Sequence, residues 1–146
     1  MSYLKTCIIW SSVVLLLFGS CKQKQQDKFV WKAIEVKVSA YNSVPSQTDG
    51  YPTIAAWGDT LKPRMKAIAV SRDLIQMGLK HNTKVMIKGL PGVYLVKDKM
   101  AKRWKKRIDI YMGDKVEKAK KWGVKDLEIV YEVENDTLET KSKQGL

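Results

Sequence analysis

The sequence predicts an all-β fold, a small closed barrel of six short strands with one or two short helices. Three observations lead there. Short runs of alternating apolar and polar residues recur between turn signals, and helix-length periodic segments are scarce. A strand–helix–glycine–strand unit also occurs twice. Ile68-Ala69-Val70 leads through Gly78 to a strand at Lys84, and Ile108-Asp109-Ile110 leads through Gly123 to a strand at Leu127. Two interlocked halves of short strands are best accommodated by closure, which removes exposed edges.

Each element has a local reason. From Ile34 to Tyr41 apolar and polar residues alternate, the pattern of a half-buried strand. Residues 42–58 are rich in Ser, Pro, Asn, Asp and Gly and form a long loop, a length usually kept for function. Ala67-Ile68-Ala69-Val70 is a short buried strand. Arg72 to Gly78 supplies one or two helical turns with Gly78 as the stop. Gly89-Leu90-Pro91-Gly92 is a turn between strands at Lys84–Lys88 and Gly92–Lys97. After the Ile108 strand a helix is expected through Trp122. Its N-cap is Asp114, its buried stripe Val116, Ala119 and Trp122, and its stop Gly123. Leu127 to Val133 closes the domain as a strand. Trp31 and Trp122 are expected to pack in the core or at its rim.

The N-terminus reads as an export signal. Lys5 is followed by an apolar run, Cys7 to Phe18, too short to span a bilayer comfortably, and the run ends in Gly19-Ser20-Cys21. That ending resembles a bacterial lipobox, with Phe18 where an aliphatic residue is usual. It implies a lipoprotein signal peptide over 1–20 and a lipidated Cys21. A polar tether over 21–28 follows, then a domain over 29–134 and a disordered polar tail over 135–146. The expected location is the cell envelope, anchored by lipid in the outer membrane.

Composition narrows the function classes. The two cysteines, Cys7 and Cys21, both lie in or at the signal, which leaves none for a disulfide, a thiol nucleophile or a cysteine-held metal. No metal or cofactor is expected. The net charge of +12 favours an anionic partner, and export points to a glycan or a membrane surface rather than nucleic acid. The charge is densest at Lys102-Arg103-Trp104-Lys105-Lys106-Arg107, where an aromatic ring sits among cations.

Two aspartates bracket that basic loop. Asp109 lies between two apolar strand residues, Ile108 and Ile110, and faces the opposite way from them. Asp98 follows Tyr94 and Val96 at alternate positions near a strand end, and so shares their face. A carboxylate among apolar strand residues is poorly solvated, which raises its pKa and suits it to act as a general acid. Simple ion pairing with neighbouring Lys and Arg is the competing reading. His81, the only histidine, lies in a polar turn and reads as a solvated residue.

Several motifs in order resemble the 3D (three-aspartate) domain of the RlpA-like double-psi β-barrels. These are Val38-Ser39-Ala40-Tyr41, Thr48-Asp49-Gly50-Tyr51-Pro52, Ala55-Ala56-Trp57-Gly58, Ile68-Ala69-Val70-Ser71-Arg72-Asp73, Val96-Lys97-Asp98 and Arg107-Ile108-Asp109-Ile110-Tyr111. The resemblance implies a six-stranded double-psi barrel related to that of membrane-bound lytic murein transglycosylases. It makes Asp109 the leading catalytic candidate, with Asp98 orienting it or binding substrate and Asp73 lining the same groove. Tyr41, Trp57, Lys97, Trp104 and Arg107 are the substrate-binding candidates. The departures are Ser71-Arg72-Asp73 where many members have Asp-Pro, and Asp98-Lys99-Met100-Ala101 where Asp-Thr-Gly-Gly is common. The expected function is lytic cleavage of peptidoglycan glycan strands, the alternative a non-catalytic peptidoglycan- or polysaccharide-binding module.

Overall fold

The computed structural model describes residues 28–43 and 53–135. Cys21, the signal, most of the tether, the Thr48–Pro52 motif and nearly all of the polar tail lie outside the described residues.

Six strands and two short helices follow one another along the chain. They are β1 (Phe29–Tyr41), β2 (Ala67–Val70), α1 (Arg72–Gln76), β3 (Lys84–Ile87), β4 (Val93–Lys99), β5 (Arg107–Tyr111), α2 (Val116–Trp122) and β6 (Lys125–Glu134). The strands close into a barrel in the order β1-β5-β2-β4-β3-β6. The β1/β5 and β2/β4 pairs are parallel and the other four antiparallel. Advancing every strand label by three reproduces this order and every pairing sense. The barrel therefore consists of two equivalent halves, β1-β2-α1-β3 and β4-β5-α2-β6, each contributing strands to the other's neighbours. The repeated unit legible in the sequence is this symmetry, extended by β1 and β4.

Alternation explains the interior. Each strand turns two residues inward: Val36 and Val38, Ile68 and Val70, Val85 and Ile87, Tyr94 and Val96, Ile108 and Ile110, Ile129 and Tyr131. Leu74 and Leu79, on and just after α1, complete this core. Burying such a side chain stabilises by roughly 1.5–3 kcal/mol before entropy is charged. A smaller second cluster lies outside the sheet, where Ala55 and Leu61 pack over Ala67 and Tyr111. Residues 53–66 of the connection between β1 and β2 thus pack onto the outer face of the barrel.

Four local expectations are corrected. Leu127 is half-buried rather than part of the inner core. Trp31 is 48% exposed, because β1 begins earlier than its alternation suggests and pairs with β6 as a ribbon, Phe29 opposite Glu134. Asp114 does not cap α2. Lys115 holds the cap position without a side-chain bond, and the helix is entered through a tight turn in which Val116 N–H donates to Asp114 O at 2.9 Å. The Val116, Ala119 and Trp122 stripe is half-buried, since α2 packs mainly against β1 at the barrel's edge. Trp122 still anchors there, its Nε1–H donating to Val38 O at 3.2 Å.

Candidate functional site

Register brings four outward-facing residues of four adjacent strands into one row. Ser39 on β1 pairs with Asp109 on β5, Asp109 with Ala69 on β2, and Ala69 with Asp98 on β4. Directly opposed residues share a face of the sheet. The exchange of halves swaps β2 with β5, so the pseudo-dyad passes between these two strands and the directly opposed Ala69 and Asp109 occupy equivalent positions on either side of it.

Asp98 reaches this row through an irregularity. The β2/β4 register slips between Ile68 and Ala69, so that Ile68 faces Val96 but Ala69 faces Asp98, with Lys97 as the extra residue. Strict alternation puts Asp98 on the inward face of Tyr94 and Val96. The bulge overturns that expectation and turns the carboxylate to the outer face. There Asp98 accepts two backbone N–H bonds on one oxygen, from Ala56 and from Lys99, both at 2.8 Å. The outer loop is thereby tied to the second aspartate.

Asp109 is held from the β1 side. The Ser39 hydroxyl donates to its carboxylate, and Arg107 Nε–H donates to Ser39 Oγ at 2.9 Å. Arg107 Nε itself stands 4.0 Å from the same carboxylate oxygen. The indole of Trp104 backs that guanidinium, 4.1 Å from ring centre to Arg107 Cζ. Burial pushes the Asp109 carboxyl above its ordinary pKa; the Arg107 charge opposes the rise and the Asp98 charge adds to it. The backbones of Asp98 and Asp109 are two strand spacings apart, roughly 9–10 Å.

Tyr41 faces both acids. Its ring packs against Tyr111, centroids 5.5 Å apart, and its buried hydroxyl has no hydrogen-bond partner among the described residues. Burial, followed by the charges of Asp98, Tyr111 and Asp109, pushes the phenol up and keeps it protonated. A buried O–H without an acceptor is costly.

The other sequence candidates fall into neighbouring groups. The Asp73 carboxylate accepts Lys106 N–H at 2.9 Å and so fixes the end of the basic loop. Burial raises its pKa but is outweighed by the Ser71 hydroxyl and the Lys106 amide, so the group is held low, the wrong direction for an acid. Lys97 turns away from the row to Asp59 at 2.7 Å and Asn82 at 2.6 Å. Asp59 also bonds His81, whose ring stacks on Trp57 with centroids 5.1 Å apart. Lys99 stands over the Trp57 ring at 4.6 Å. The Lys97 bond holds the Asp59 carboxyl below its usual range, against the effect of burial.

Sequence reasoning missed Ser39, Ala69 and the amide of Ala56. The small residues Ser39 and Ala69 stood at outward strand positions, but their role depends on which strands become neighbours. Two sizeable cavities lie elsewhere. One, of about 460 Å³, lies between Pro63–Lys66 and Met112–Lys118, and another against Gln76–Thr83. Neither is lined by Asp98 or Asp109. The aspartate row is the candidate site nonetheless, because register sets Ser39, Ala69, Asp98 and Asp109 together there and Asp109 is half-buried with its carboxyl raised. Among the described residues no cluster of three or more His, Cys, Asp or Glu is arranged to hold a metal, and no helix is long and apolar enough to cross a membrane. No protein-family model matches the chain, and no curated protein matches it.

Proposed function

We propose that this chain is a 3D-type, double-psi barrel lipoprotein of the cell envelope that cleaves peptidoglycan glycan strands by lytic transglycosylation. The observation that carries the reading is the Asp109 carboxyl, raised by burial and set in one row with Ser39, Ala69 and Asp98. The strand order with its two parallel pairs supports the double-psi part of it.

In this chemistry one acid suffices. Protonated Asp109 gives its proton to the glycosidic oxygen as the bond to the anomeric carbon breaks. The resulting carboxylate then takes the proton of the muramyl C6 hydroxyl, whose oxygen closes onto the anomeric carbon as an anhydro ring. The proton removed restores the acid, and no water or metal is consumed. Asp98 adds negative charge that favours the protonated form of Asp109 and stabilises developing oxocarbenium charge. The Tyr41 hydroxyl donates to a substrate oxygen, and Ser39 orients the acid. Trp57 and Trp104 border the row, and Arg107 neutralises a substrate carboxylate.

One observation favours the second reading, a non-catalytic glycan-binding module. The Ser39 bond and the Arg107 guanidinium both favour the ionised form of Asp109 and oppose its use as an acid. Mass spectrometry of purified cell wall incubated with the protein separates the two. Anhydromuramyl products that disappear in Asp109→Asn support cleavage. Wall binding without product supports the module.

A further inference from the structure

The cavity of about 460 Å³ beside the Pro63 turn is lined by four cations, Arg64, Lys66, Lys115 and Lys118, against one carboxylate, Asp114. Leu90, Tyr94 and Trp122 give it an apolar wall. Its size is that of an ordinary small-ligand site. Elsewhere on the barrel Lys37, Lys84, Lys88 and Lys120 each lie against a carboxylate, while the side chains of Lys32, Lys62 and Lys80 have no partner among the described residues. Here the side chains of Arg64, Lys115 and Lys118 form no hydrogen bond or ion pair with any described residue. Lys66 is fixed in place, its Nζ donating to Pro91 O at 2.7 Å and standing 5.9 Å from the Tyr94 ring centre.

The backbone at Arg64 is a second, independent observation. Met65 N–H donates to Lys62 O at 3.0 Å, closing a turn with Pro63 second and Arg64 third. Arg64 has φ +69°, the left-handed conformation that a type II turn demands of its third residue and that glycine adopts at least cost. An arginine held in this conformation, which Asn82 and Lys106 share among the non-glycine described residues, carries backbone strain, and such strain collects at binding sites.

We propose that this cavity is a binding site for an acidic sugar unit of an envelope polymer, with the anion on the four cations and the ring face on Leu90, Tyr94 and Trp122. A carboxylate or a phosphate supplies the same chemistry to these cations. Tyr111 joins the cavity wall to the Tyr41 side of the aspartate row, so the two sites are contiguous. The inference rests on the envelope location proposed above but not on cleavage at Asp109, and a protein that cleaves nothing still tests it.

The test is calorimetric titration of the full chain in neutral detergent. The probes are an oligogalacturonate, the hexose phosphate glucose 6-phosphate and neutral maltotetraose, each at low and at moderate salt. The parent binds at least one anionic probe, and which of the two binds identifies the anion. Maltotetraose does not bind. Arg64→Gln with Lys118→Gln weakens that binding about tenfold or more, whereas Lys37→Gln with Lys88→Gln, the same loss of charge outside the cavity, leaves it unchanged. Arg64→Gly provides a readout that a purely structural role reverses: it raises the melting temperature by relieving the turn while weakening binding. Absence of binding to both anions, equal binding of maltotetraose, equal loss in the control pair, or a lower melting temperature for Arg64→Gly overturns the proposal.

Discussion

Asp109 combines two opposed influences, burial that favours its proton and an Arg107–Ser39 arm that favours its charge. Asp109→Asn preserves an acceptor for Ser39 but delivers no proton. The variant is expected to fold, to bind wall fragments and to lose about 10²–10⁴-fold in anhydromuramyl release, the usual cost of a missing general acid. The same residue sets a pH signature. A carboxyl whose folded pKa is raised holds its proton more tightly in the native state than in the unfolded one. Its contribution to stability is therefore fully present below the ordinary aspartate pKa and is lost as pH rises through the folded value. Asp59, held low chiefly by Lys97, behaves in the opposite sense. Its contribution is present above the ordinary aspartate pKa and is lost as pH falls through the depressed one. In melts across the acidic range, Asp109→Asn should gain on the parent as pH rises, and Asp59→Asn should fall behind it. Parallel curves for all three proteins would remove the electrostatic account of both residues.

At the scale of elements, the exit from α1 is closely constrained. Gly78 stands at φ +110°, and a Cβ there meets Val133 Cγ1 at 2.8 Å. Its carbonyl is held by the Thr83 hydroxyl at 3.2 Å and the preceding Met77 carbonyl by Tyr131 Oη at 3.4 Å, so the segment has little room to yield. Gly78→Ala should cost about 1–3 kcal/mol, read as a lower urea midpoint with an unchanged slope. The loop between β4 and β5 is bound differently. Asp73 holds Lys106 by its backbone, Arg72 Nε–H donates to Met100 O at 3.2 Å, and Lys102, Arg103, Lys105 and Lys106 point their charges to solvent. Neutralising those four together should weaken binding to anionic glycan most at low salt, since exposed charges act over a Debye length of about 10 Å at 0.1 M. A salt series with superimposable curves for variant and parent would make the run an ordinary solvated face.

For the whole molecule the closed barrel and the basic surface are separate properties. Closure follows from two equivalent halves interleaved around one apolar core, which leaves all six strands paired on both sides. The charge of +12 is laid over this frame and bears on solubility and association rather than on fold. The proposed envelope location depends on Cys21. Cys21→Ser is expected to shift the protein out of the membrane fraction. Unchanged fractionation with an intact N-terminus would rule out lipid processing there.

The amino-acid order by itself determined which residues turn inward. Alternation at Ile68 and Val70, Val85 and Ile87, or Ile108 and Ile110 fixes a buried face wherever a strand forms, because the side-chain period is two. The glycines at 78 and 123 fixed where the helical segments stop, and the repeated unit fixed two like halves. Alternation states a face, however, and not a neighbour. Only tertiary structure placed Ser39 beside Asp109, 70 positions away, through the parallel β1/β5 pair. Only the slip in the β2/β4 register turned Asp98 outward to Ala69, because one extra residue in a bulge reverses the face of everything after it. The cations around the Pro63 turn, spread over Arg64 to Lys118, likewise became one cavity through long-range packing that no local pattern encodes.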